Sequence, residues 1–224
     1  TAYFAGGCVR DMLLGTEPKD YDIATSATPD EVQELFPNSN AIGAHFGVIL
    51  VHKDGFPFEI ATFRHDGSYK DGRHPDRVTF TTPEDDASRR DFTINAMYYN
   101  PIDESVLDRM EGNQDISARL VRILGDPQTR YREDPVRMLR VVRFAAKLQF
   151  DIESETESAI SACGPLLAEI PPARLFDEFL KLFMAGYGRP TLLLLLRYQL
   201  LDSLCPDAAF LIEKEPRFKK LVTQ

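Results

Sequence analysis

The sequence predicts an α+β protein, with a mixed β-sheet and flanking helices at the amino-terminal end and an all-helical region after it. Up to about residue 116, short β-rich runs bounded by Gly, Pro, Asn or Asp alternate with helical ones. After Ser117 the apolar residues recur with the 3.6-residue period of helices. The length of 224 residues is close to the upper limit for a single hydrophobic core, so we expect one large domain or two smaller ones.

The first half carries the predicted strands, which are Thr1–Ala5, Asp20–Thr25, Val48–His52, Phe58–Arg64, Ile94–Asn100 and Val106–Asp108. A helix is predicted to begin at Pro29, because Thr28 is a favourable N-cap and proline suits the first helical turn. Residues 65–87 are polar and lack periodicity, so we expect a long loop there. Long loops inside compact domains are often functional.

The second half carries the predicted helices, which are Pro135–Leu148, Ser154–Cys163, Ala173–Ala185 and Thr191–Leu201. Pro171 and Pro172 mark the beginning of the third, and Gly186 and Gly188 its end. We therefore expect a head at 1–116, a helical neck at 117–187, and the beginning of a helical body at 188–224. Because the first residue is Thr rather than Met, we expect a truncated chain.

Composition excludes several classes of protein. Hydrophobic residues make up 43% and charged residues 27%, which is too apolar for a disordered chain. The net charge of −9 argues against a protein that coats nucleic acid, although it permits a local basic groove. The longest aliphatic run, Leu192–Leu196, is far shorter than the roughly 20 residues of a membrane helix. Three widely spaced cysteines fit reduced thiols, so we expect a cytoplasmic protein with no membrane and no implied protein partner.

The strongest local feature is a glycine turn followed by two aspartates. Gly6 and Gly7, after a predicted strand, let the backbone approach a phosphate closely, and Arg10 adds a guanidinium. In an extended strand, Asp20 and Asp22 would point to the same face, where their oxygens suit Mg²⁺. Two metal ions about 3.5–4 Å apart could then activate a hydroxyl and stabilise a leaving pyrophosphate. The alternative is a plain glycine turn with a solvated Asp-x-Asp loop.

A second feature is the basic character of one predicted helix. Between residues 119 and 147 there are eight basic and three acidic residues. Within this segment Arg137, Arg140, Arg143 and Lys147 recur at steps of three or four and share a helix face. This excess fits a triphosphate or RNA path, and the alternative is an ordinary solvated helix face.

Just before this face, Glu133-Asp134-x-x-Arg137 offers a means of base selection. A carboxylate accepts from the exocyclic amine of cytosine or adenine, and a guanidinium donates to their ring nitrogens. Guanine and uracil present a carbonyl where the amine should be, which would cost about 1–3 kcal/mol. The alternative, which can coexist, is that Asp134 is an N-cap and Glu133 interacts with the helix dipole.

Four ordered motifs resemble the class II tRNA nucleotidyltransferases and bacterial poly(A) polymerases, members of the polymerase-β-like nucleotidyltransferase superfamily. The matching segments are Gly6-Gly7-x-Val9-Arg10-Asp11-x-Leu13-Leu14-Gly15 with Asp20-x-Asp22, Arg89–Ala96, Asp108-x-x-x-Gly112-x-x-Asp115, and Arg132–Arg137 with Arg140, Arg143 and Phe144. The resemblance implies an enzyme that transfers nucleotides from CTP and ATP to an RNA 3′ end with Mg²⁺.

The resemblance also implies roles for individual residues. Asp20 and Asp22 would hold the catalytic metals, and Glu59 could supply a third carboxylate, since an acidic residue within an apolar strand is costly without a nearby cation. The alternative for Glu59 is an outward-facing residue on an edge strand. Nucleotide binding would fall to Gly6, Gly7, Arg10, Arg90, Asp91, Asn95, Asp134, Arg137, Arg140 and Arg143. Without the resemblance, Arg90 is a surface charge and Asn95 a turn residue.

Within this family we favour the enzymes that add C, C and A to the tRNA 3′ end. Bacterial poly(A) polymerases resemble this chain most in Thr129–Leu148 and Ile170–Phe176. The two adjacent basic residues typical of those enzymes are, however, absent from the segment 42–47. The loop at 65–83 is similar to the flexible loop of enzymes that add the terminal A. Alternatives are a poly(A) polymerase, a CC-adding or A-adding tRNA enzyme, a catalytically silent RNA-binding module, and a nucleotidyltransferase that modifies small molecules.

Overall fold

A computed structural model describes residues 1–43, 46–67, 77–215 and 217. The chain divides into two compact units, Thr1–Ala118 and Arg119–Gln224. Within these described ranges, every helix is too short or too polar to span a membrane.

The amino-terminal unit is built on a mixed sheet. Its strands are β1 (Ala2–Ala5), β2 (Ile23–Thr25), β3 (Asn40–Gly43), β4 (Val48–Lys53), β5 (Phe56–Thr62), β6 (Arg64–Asp66), β7 (Val78–Phe80), β8 (Met97–Tyr99) and β9 (Val106–Asp108). Among the described residues seven of them pair in the order β3-β4-β5-β2-β1-β8-β9, and β6 pairs with β7 separately. The β2–β5 pair is parallel, and β1 pairs antiparallel with both β2 and β8.

Short helices flank this sheet, namely α1 (Gly7–Leu13), α2 (Pro29–Leu35), α3 (Pro83–Ser88) and α4 (Gly112–Ala118). Helix α2 begins with a capping box, in which the Thr28 hydroxyl accepts from the Glu31 amide and the Glu31 carboxylate accepts from the Thr28 amide. Its Val32 packs in a buried cluster with Ile49 and Ile60 of the sheet. The prediction of a helix at Pro29 is confirmed.

The carboxy-terminal unit is predominantly helical. Its elements are β10 (Leu120–Val121), α5 (Pro127–Glu133), α6 (Val136–Leu148), β11 (Asp151–Ile152), α7 (Ser154–Cys163), α8 (Pro172–Phe183), α9 (Gly188–Arg197), α10 (Leu201–Leu204) and α11 (Pro206–Lys214). Met138, Leu139 and Val142 of α6 are fully buried. The short parallel pair of β10 and β11 is the departure from an all-helical neck. The α+β prediction is confirmed.

Several predicted boundaries were wrong. The strand expected at Asp20–Thr25 begins only at Ile23, so Asp20 and Asp22 precede it. The region expected to be a loop at 65–87 contains the end of β6, then β7 and α3, whose first turn is capped by the Thr82 hydroxyl. Gly188 begins α9 rather than ending the helix before it. Residues 44, 45 and 68–76, which carry part of two predicted segments, lie outside the described residues.

Candidate active site

The glycine turn that opens the site has a backbone that only glycine adopts easily. Gly6 has φ of 75° and ψ of −124°, and its amide donates to the carbonyl of Met97 at 3.0 Å. A Cβ at this position would lie 2.8 Å from Nη1 of Arg90. Gly6 is therefore required both by the positive φ and by the close approach of an arginine. It joins β1 to α1, and the next residue, Gly7, lies against the Arg10 guanidinium, with Nη2 3.6 Å from where a Cβ would be.

Arg10 lies beneath this turn and is only 3% exposed. Its Nη1 donates to Oδ1 of Asn95 at 2.6 Å, while Nε and Nη2 donate to Oδ1 of Asp11 at 2.8 and 2.6 Å. Nδ2 of Asn95 in turn donates to Oδ1 of Asp91 at 3.1 Å. The structure thus brings together three of the predicted nucleotide-binding residues, Arg10, Asn95 and Asp91. Their contact with a nucleotide stays a prediction.

The three predicted acidic residues influence one another. Asp22 immediately precedes β2. The first pair between β2 and the parallel strand β5 is Ile23 with Ile60, so Asp22 and Glu59, each one residue earlier, lie next to this pair on neighbouring segments. Solvent reaches Asp22, yet neighbouring protein removes part of its hydration, and this loss of solvation raises its pKa. The negative charges of Glu59 and Asp20 raise the pKa further, and Arg90 opposes them.

Strand β5 lies between β4 and β2, so the alternative that Glu59 is on an edge strand was wrong. Its side chain is exposed, with the carboxylate near that of Asp22. Within the described ranges, no group of three or more acidic, histidine or cysteine side chains is arranged to hold a metal ion. Mg²⁺ in nucleotide sites commonly takes one or two carboxylates with substrate phosphates and waters. The mutual repulsion at Asp22 fits a cation bound by a pair of carboxylates.

Arg90 is fixed by contacts on several sides. Its Nη1 donates to the carbonyl of Asn95 at 3.3 Å, and its guanidinium carbon lies 5.0 Å from the centre of the Tyr98 ring. Its Nη2 is 3.2 Å from Oδ2 of Asp86, a carboxylate on α3 that is 1% exposed. The alternative that Arg90 is an ordinary surface charge was wrong, since its side chain is 18% exposed. Sequence reasoning missed Asp86, which fell in the predicted loop.

The motif at 108–115 holds the segment that carries Asn95. The Asp108 carboxylate accepts from the backbone amides of Gly112 and Asn113 at 3.0 and 2.8 Å, so it caps α4. A Cβ on Gly112 would lie 2.4 Å from the carbonyl oxygen of Thr93. The Thr93 hydroxyl donates to the buried Asp115 carboxylate at 2.6 Å. These contacts hold residues 93–95 in a 3-10 turn, so the strand predicted at Ile94–Asn100 begins only at Met97, with β8.

In the carboxy-terminal unit, the two predicted base-selecting residues have separate partners. Nη1 of Arg137 donates to the Glu133 carboxylate at 2.7 Å and to the Arg130 carbonyl at 2.9 Å. The carboxylate of Asp134 instead accepts hydrogen bonds from Nη2 of Arg174 on α8, at 2.8 Å to each oxygen. Sequence reasoning did not assign Arg174 to the site, although this residue lies in the Ile170–Phe176 segment that resembles bacterial poly(A) polymerases.

The arginine face of α6 is packed rather than freely solvated. Arg137 is 6% exposed, and the guanidinium carbons of Arg140 and Arg143 lie 5.7 and 5.3 Å from the centre of the Phe144 ring. Nη1 of Arg143 is also 3.7 Å from the Glu178 carboxylate on α8. The solvated-face alternative was therefore wrong for these three arginines. Their contact with a nucleotide or with RNA stays a prediction.

The mixed sheet, the glycine turn and the carboxylates beside a fixed arginine define a nucleotidyltransferase-type head. Two family descriptions match the chain: "Poly A polymerase head domain" over residues 2–122 and "Probable RNA and SrmB- binding site of polymerase A" over residues 149–211. The chain belongs to the poly(A) polymerase head-domain family, which confirms the resemblance.

Relatives in this family carry two different names. Poly(A) polymerase I of Haemophilus influenzae is 45% identical over 97% of this chain and 51% of its own length. The CCA-adding enzyme of Geobacillus thermodenitrificans is 44% identical over 87% of this chain and 48% of its own. A crystal structure of the Bacillus stearothermophilus CCA-adding enzyme in complex with CTP is 37% identical, with a TM-score of 0.84 over 93% of this chain and 51% of that one. The chain spans about half the length of the relatives it matches.

Proposed function

We propose that this protein adds CMP and AMP from CTP and ATP to the 3′ end of tRNA, to build or repair a CCA end, without a nucleic-acid template. The observation that carries the proposal is the Asp22 carboxylate, one residue before the β2–β5 pair, which is under the charges of Glu59, Asp20 and Arg90, with Arg90 itself against Gly6. The match to a CCA-adding enzyme in complex with CTP supports it.

In this proposal the head, at 1–116, performs the transfer. Asp20 and Asp22 would hold Mg²⁺, which supplies positive charge against the phosphates and the attacking hydroxyl. Arg90 would bind the phosphates from the position beside Gly6, with a permanent positive charge and directional donors. Asn95, oriented by Arg10 and Asp91, would hydrogen-bond the sugar hydroxyls, because its side-chain amide can both donate and accept hydrogen bonds. Glu59 would add a third negative charge near Asp20 and Asp22, which would favour binding of the cation.

The neck, at 117–187, would select the base, and residues 188–224 would begin an RNA-binding body. Asp134 would accept from the amine of cytosine or adenine, and Arg137 would donate to their ring nitrogens. Oδ1 of Asp134 already accepts from the Val136 amide at 3.1 Å and from Arg174, whereas Oδ2 accepts a hydrogen bond from Arg174. A carboxylate oxygen accepts two hydrogen bonds, so Oδ2 has capacity for a base amine.

A second candidate is poly(A) addition. Poly(A) polymerase I of Haemophilus influenzae is as similar to this chain as the CCA-adding enzyme of Geobacillus thermodenitrificans, so identity does not separate the two activities. Our preference for CCA addition comes from the segment 42–47, which lacks two adjacent basic residues. Ala44 and His45 of this segment lie outside the described residues.

Primer extension separates these activities. The protein is incubated with Mg²⁺, CTP and ATP on a tRNA that ends at its discriminator base, and products are resolved to single nucleotides. A product that stops after C, C and A supports the proposal. A long run of A with CTP ignored identifies a poly(A) polymerase. Transfer to a small alcohol or amine with RNA ignored, or no transfer at all, contradicts both.

A further inference from the structure

Asp86 is a buried carboxylate that the proposed reaction does not use directly. It lies on α3, is 1% exposed, and belongs to a segment whose sequence predicts only a polar loop. A charge buried to this extent is costly unless it is paired and hydrogen-bonded. Burial alone would raise the pKa of Asp86, but the charges of Arg89 and Arg90, together with hydrogen bonds from Tyr98 and the Arg64 amide, lower the pKa below its ordinary value.

The two oxygens of this carboxylate serve different arginines. Oδ1 accepts from the backbone amide of Arg64 at 3.0 Å and from Nε and Nη2 of Arg89 at 2.9 and 2.8 Å. Oδ2 accepts from the Tyr98 hydroxyl at 2.6 Å and from Nη2 of Arg90 at 3.2 Å. One side of the carboxylate therefore fixes Arg89 and the adjoining backbone, and the other fixes Arg90.

The Arg90 side of this arrangement faces the candidate active site. Nη1 of Arg90 lies 2.8 Å from where a Gly6 side chain would begin, and its charge acts on Asp22. The Tyr98 hydroxyl also lies 3.3 Å from Nε of Arg90, so Tyr98, Asp86 and Arg90 form a closed triangle. Such a triangle fixes the direction of the guanidinium, which a lone surface arginine would not maintain.

We propose that Asp86 is a positioning residue that, with Tyr98, aims the Arg90 guanidinium past Gly6 toward the triphosphate of the incoming nucleotide. This inference rests on the proposed function, since it takes a nucleoside triphosphate as the ligand of Arg90. It gives α3 a role in nucleotide binding, although Asp86 lies outside the four sequence motifs.

A double-mutant cycle tests the coupling between Asp86 and Arg90. Asp86→Asn is made in the wild-type background and in Arg90→Gln, and the Kd for ATP with Mg²⁺ is measured together with KM and kcat in primer extension. We expect Asp86→Asn to raise the Kd and KM about tenfold with a smaller change in kcat, because a misdirected charge loses about that factor in binding. In Arg90→Gln the same change has less than about a twofold effect, because its target is already absent.

Asp66→Asn is the matched control. The Asp66 side chain is 5% exposed and pairs with Arg64 at 2.9 Å and with Arg89 at 3.5 Å, so it serves the Arg64 and Arg89 side of the same network. We expect its folding cost to resemble that of Asp86→Asn and its Kd for ATP to stay at the wild-type value. A Kd raised equally by both variants overturns the inference.

Two further outcomes are decisive. Equal effects of Asp86→Asn in both backgrounds overturn the inference while leaving the proposed function intact. ATP binding that follows the expected pattern without nucleotide transfer contradicts the proposed function alone.

If Asp86→Asn does not fold, Tyr98→Phe replaces it, because that change removes the 2.6 Å hydrogen bond and keeps the ring beneath Arg90. An unchanged Kd in folded Tyr98→Phe overturns the inference.

Discussion

One guanidinium nitrogen of Arg174 lies 2.8 Å from both carboxylate oxygens of Asp134. Arg174 is in the first turn of α8, whereas Asp134 lies between α5 and α6, so the contact joins separate parts of the helical unit. Both side chains are mostly buried, at 16% and 14% exposure. The carboxylate that we propose to select the base is thus held in one orientation by an arginine outside its own motif.

Removing this restraint should weaken base selection. We expect Arg174→Gln to reduce the preference for ATP over GTP about tenfold, because a carboxylate free to rotate discriminates less well between an amine and a carbonyl. The measurement is kcat/KM for each nucleotide in primer extension. Arg197→Gln is the control, since Arg197 also forms an ion pair at 2.7 Å, with Glu157, but is 64% exposed. An unchanged ATP-to-GTP ratio in Arg174→Gln would contradict the role given to this contact.

Gly6→Ala should damage both the fold and nucleotide binding. The positive φ and the 2.8 Å approach to Arg90 each oppose a side chain, so we expect a loss of about 2–4 kcal/mol in the free energy of unfolding. Gly15→Ala is a matched control, because Gly15 has φ of 69° and no atom near the position of an added Cβ. It should cost only about 1 kcal/mol. If urea unfolding shows equal losses in the free energy of unfolding for Gly6→Ala and Gly15→Ala, the close approach to Arg90 does not contribute to the cost of the Gly6 substitution.

Asp22→Asn should abolish transfer without destabilising the protein. Its carboxylate is repelled by Glu59 and Asp20, so removing the charge relieves repulsion in the folded state. We expect Tm to stay constant or to rise slightly, and kcat to fall at least about 10²–10³-fold, as for the loss of a group that stabilises developing charge. Asp30→Asn, on the exposed side of α2, is the control. A large fall in Tm with transfer retained would remove Asp22 from the catalytic assignment.

Glu153 should make the stability of the helical unit depend on pH. Its carboxylate accepts from the amides of Glu155 and Thr156 at 3.0 Å each. Loss of solvation alone would raise its pKa, but these bonds outweigh it and lower the pKa from 4.5 to about 2. Because the folded pKa is the lower one, the stabilisation is complete above pH 4.5 and is lost as pH falls toward 2.

Glu153→Gln should therefore cost about 1 kcal/mol at neutral pH and progressively less in acid. Urea unfolding of the variant and the wild type across this pH range measures the difference. Glu155→Gln is the control, since Glu155 is exposed in the same first turn, whereas the side chain that accepts from the first amides of the helix is that of Glu153. A difference between Glu153→Gln and wild type that is constant with pH would rule out the depressed pKa.

The parts of the fold that the sequence predicts well are those set by local signals. Thr28 and Pro29 begin α2, and the apolar period of α6 is clear across its thirteen residues. The segment after Phe92 shows the opposite case. Its β-rich composition predicts a strand, but the hydrogen bond from Thr93 to Asp115 and the close approach of Gly112 hold it as a 3-10 turn. Those contacts come from α4, which a local pattern does not report.

The candidate site divides in the same way. The glycine turn and the Asp-x-Asp pair are readable because their residues are adjacent in the chain and their chemistry is distinctive. Asp86 and Arg174 could not be assigned in this way, because each is an ordinary charged residue in a helix until the fold brings it to its arginine or aspartate partner. Their importance arises because the fold brings residues that are far apart in the chain close together, and a single sequence carries no signal for such contacts.

The parallel pairing of β2 with β5 has a consequence for how the protein becomes active. A shift of one residue in this register would place Asp22 beside Phe58 and turn Glu59 to the opposite side of its strand relative to Asp22. The pairing also joins segments far apart in the chain, with α2, β3 and β4 between them, so it carries the entropic cost of closing a long loop. The carboxylate cluster therefore forms only when this central part of the sheet has assembled in register. During refolding, nucleotide transfer should return with the slow formation of the sheet and not with the rapid appearance of helix.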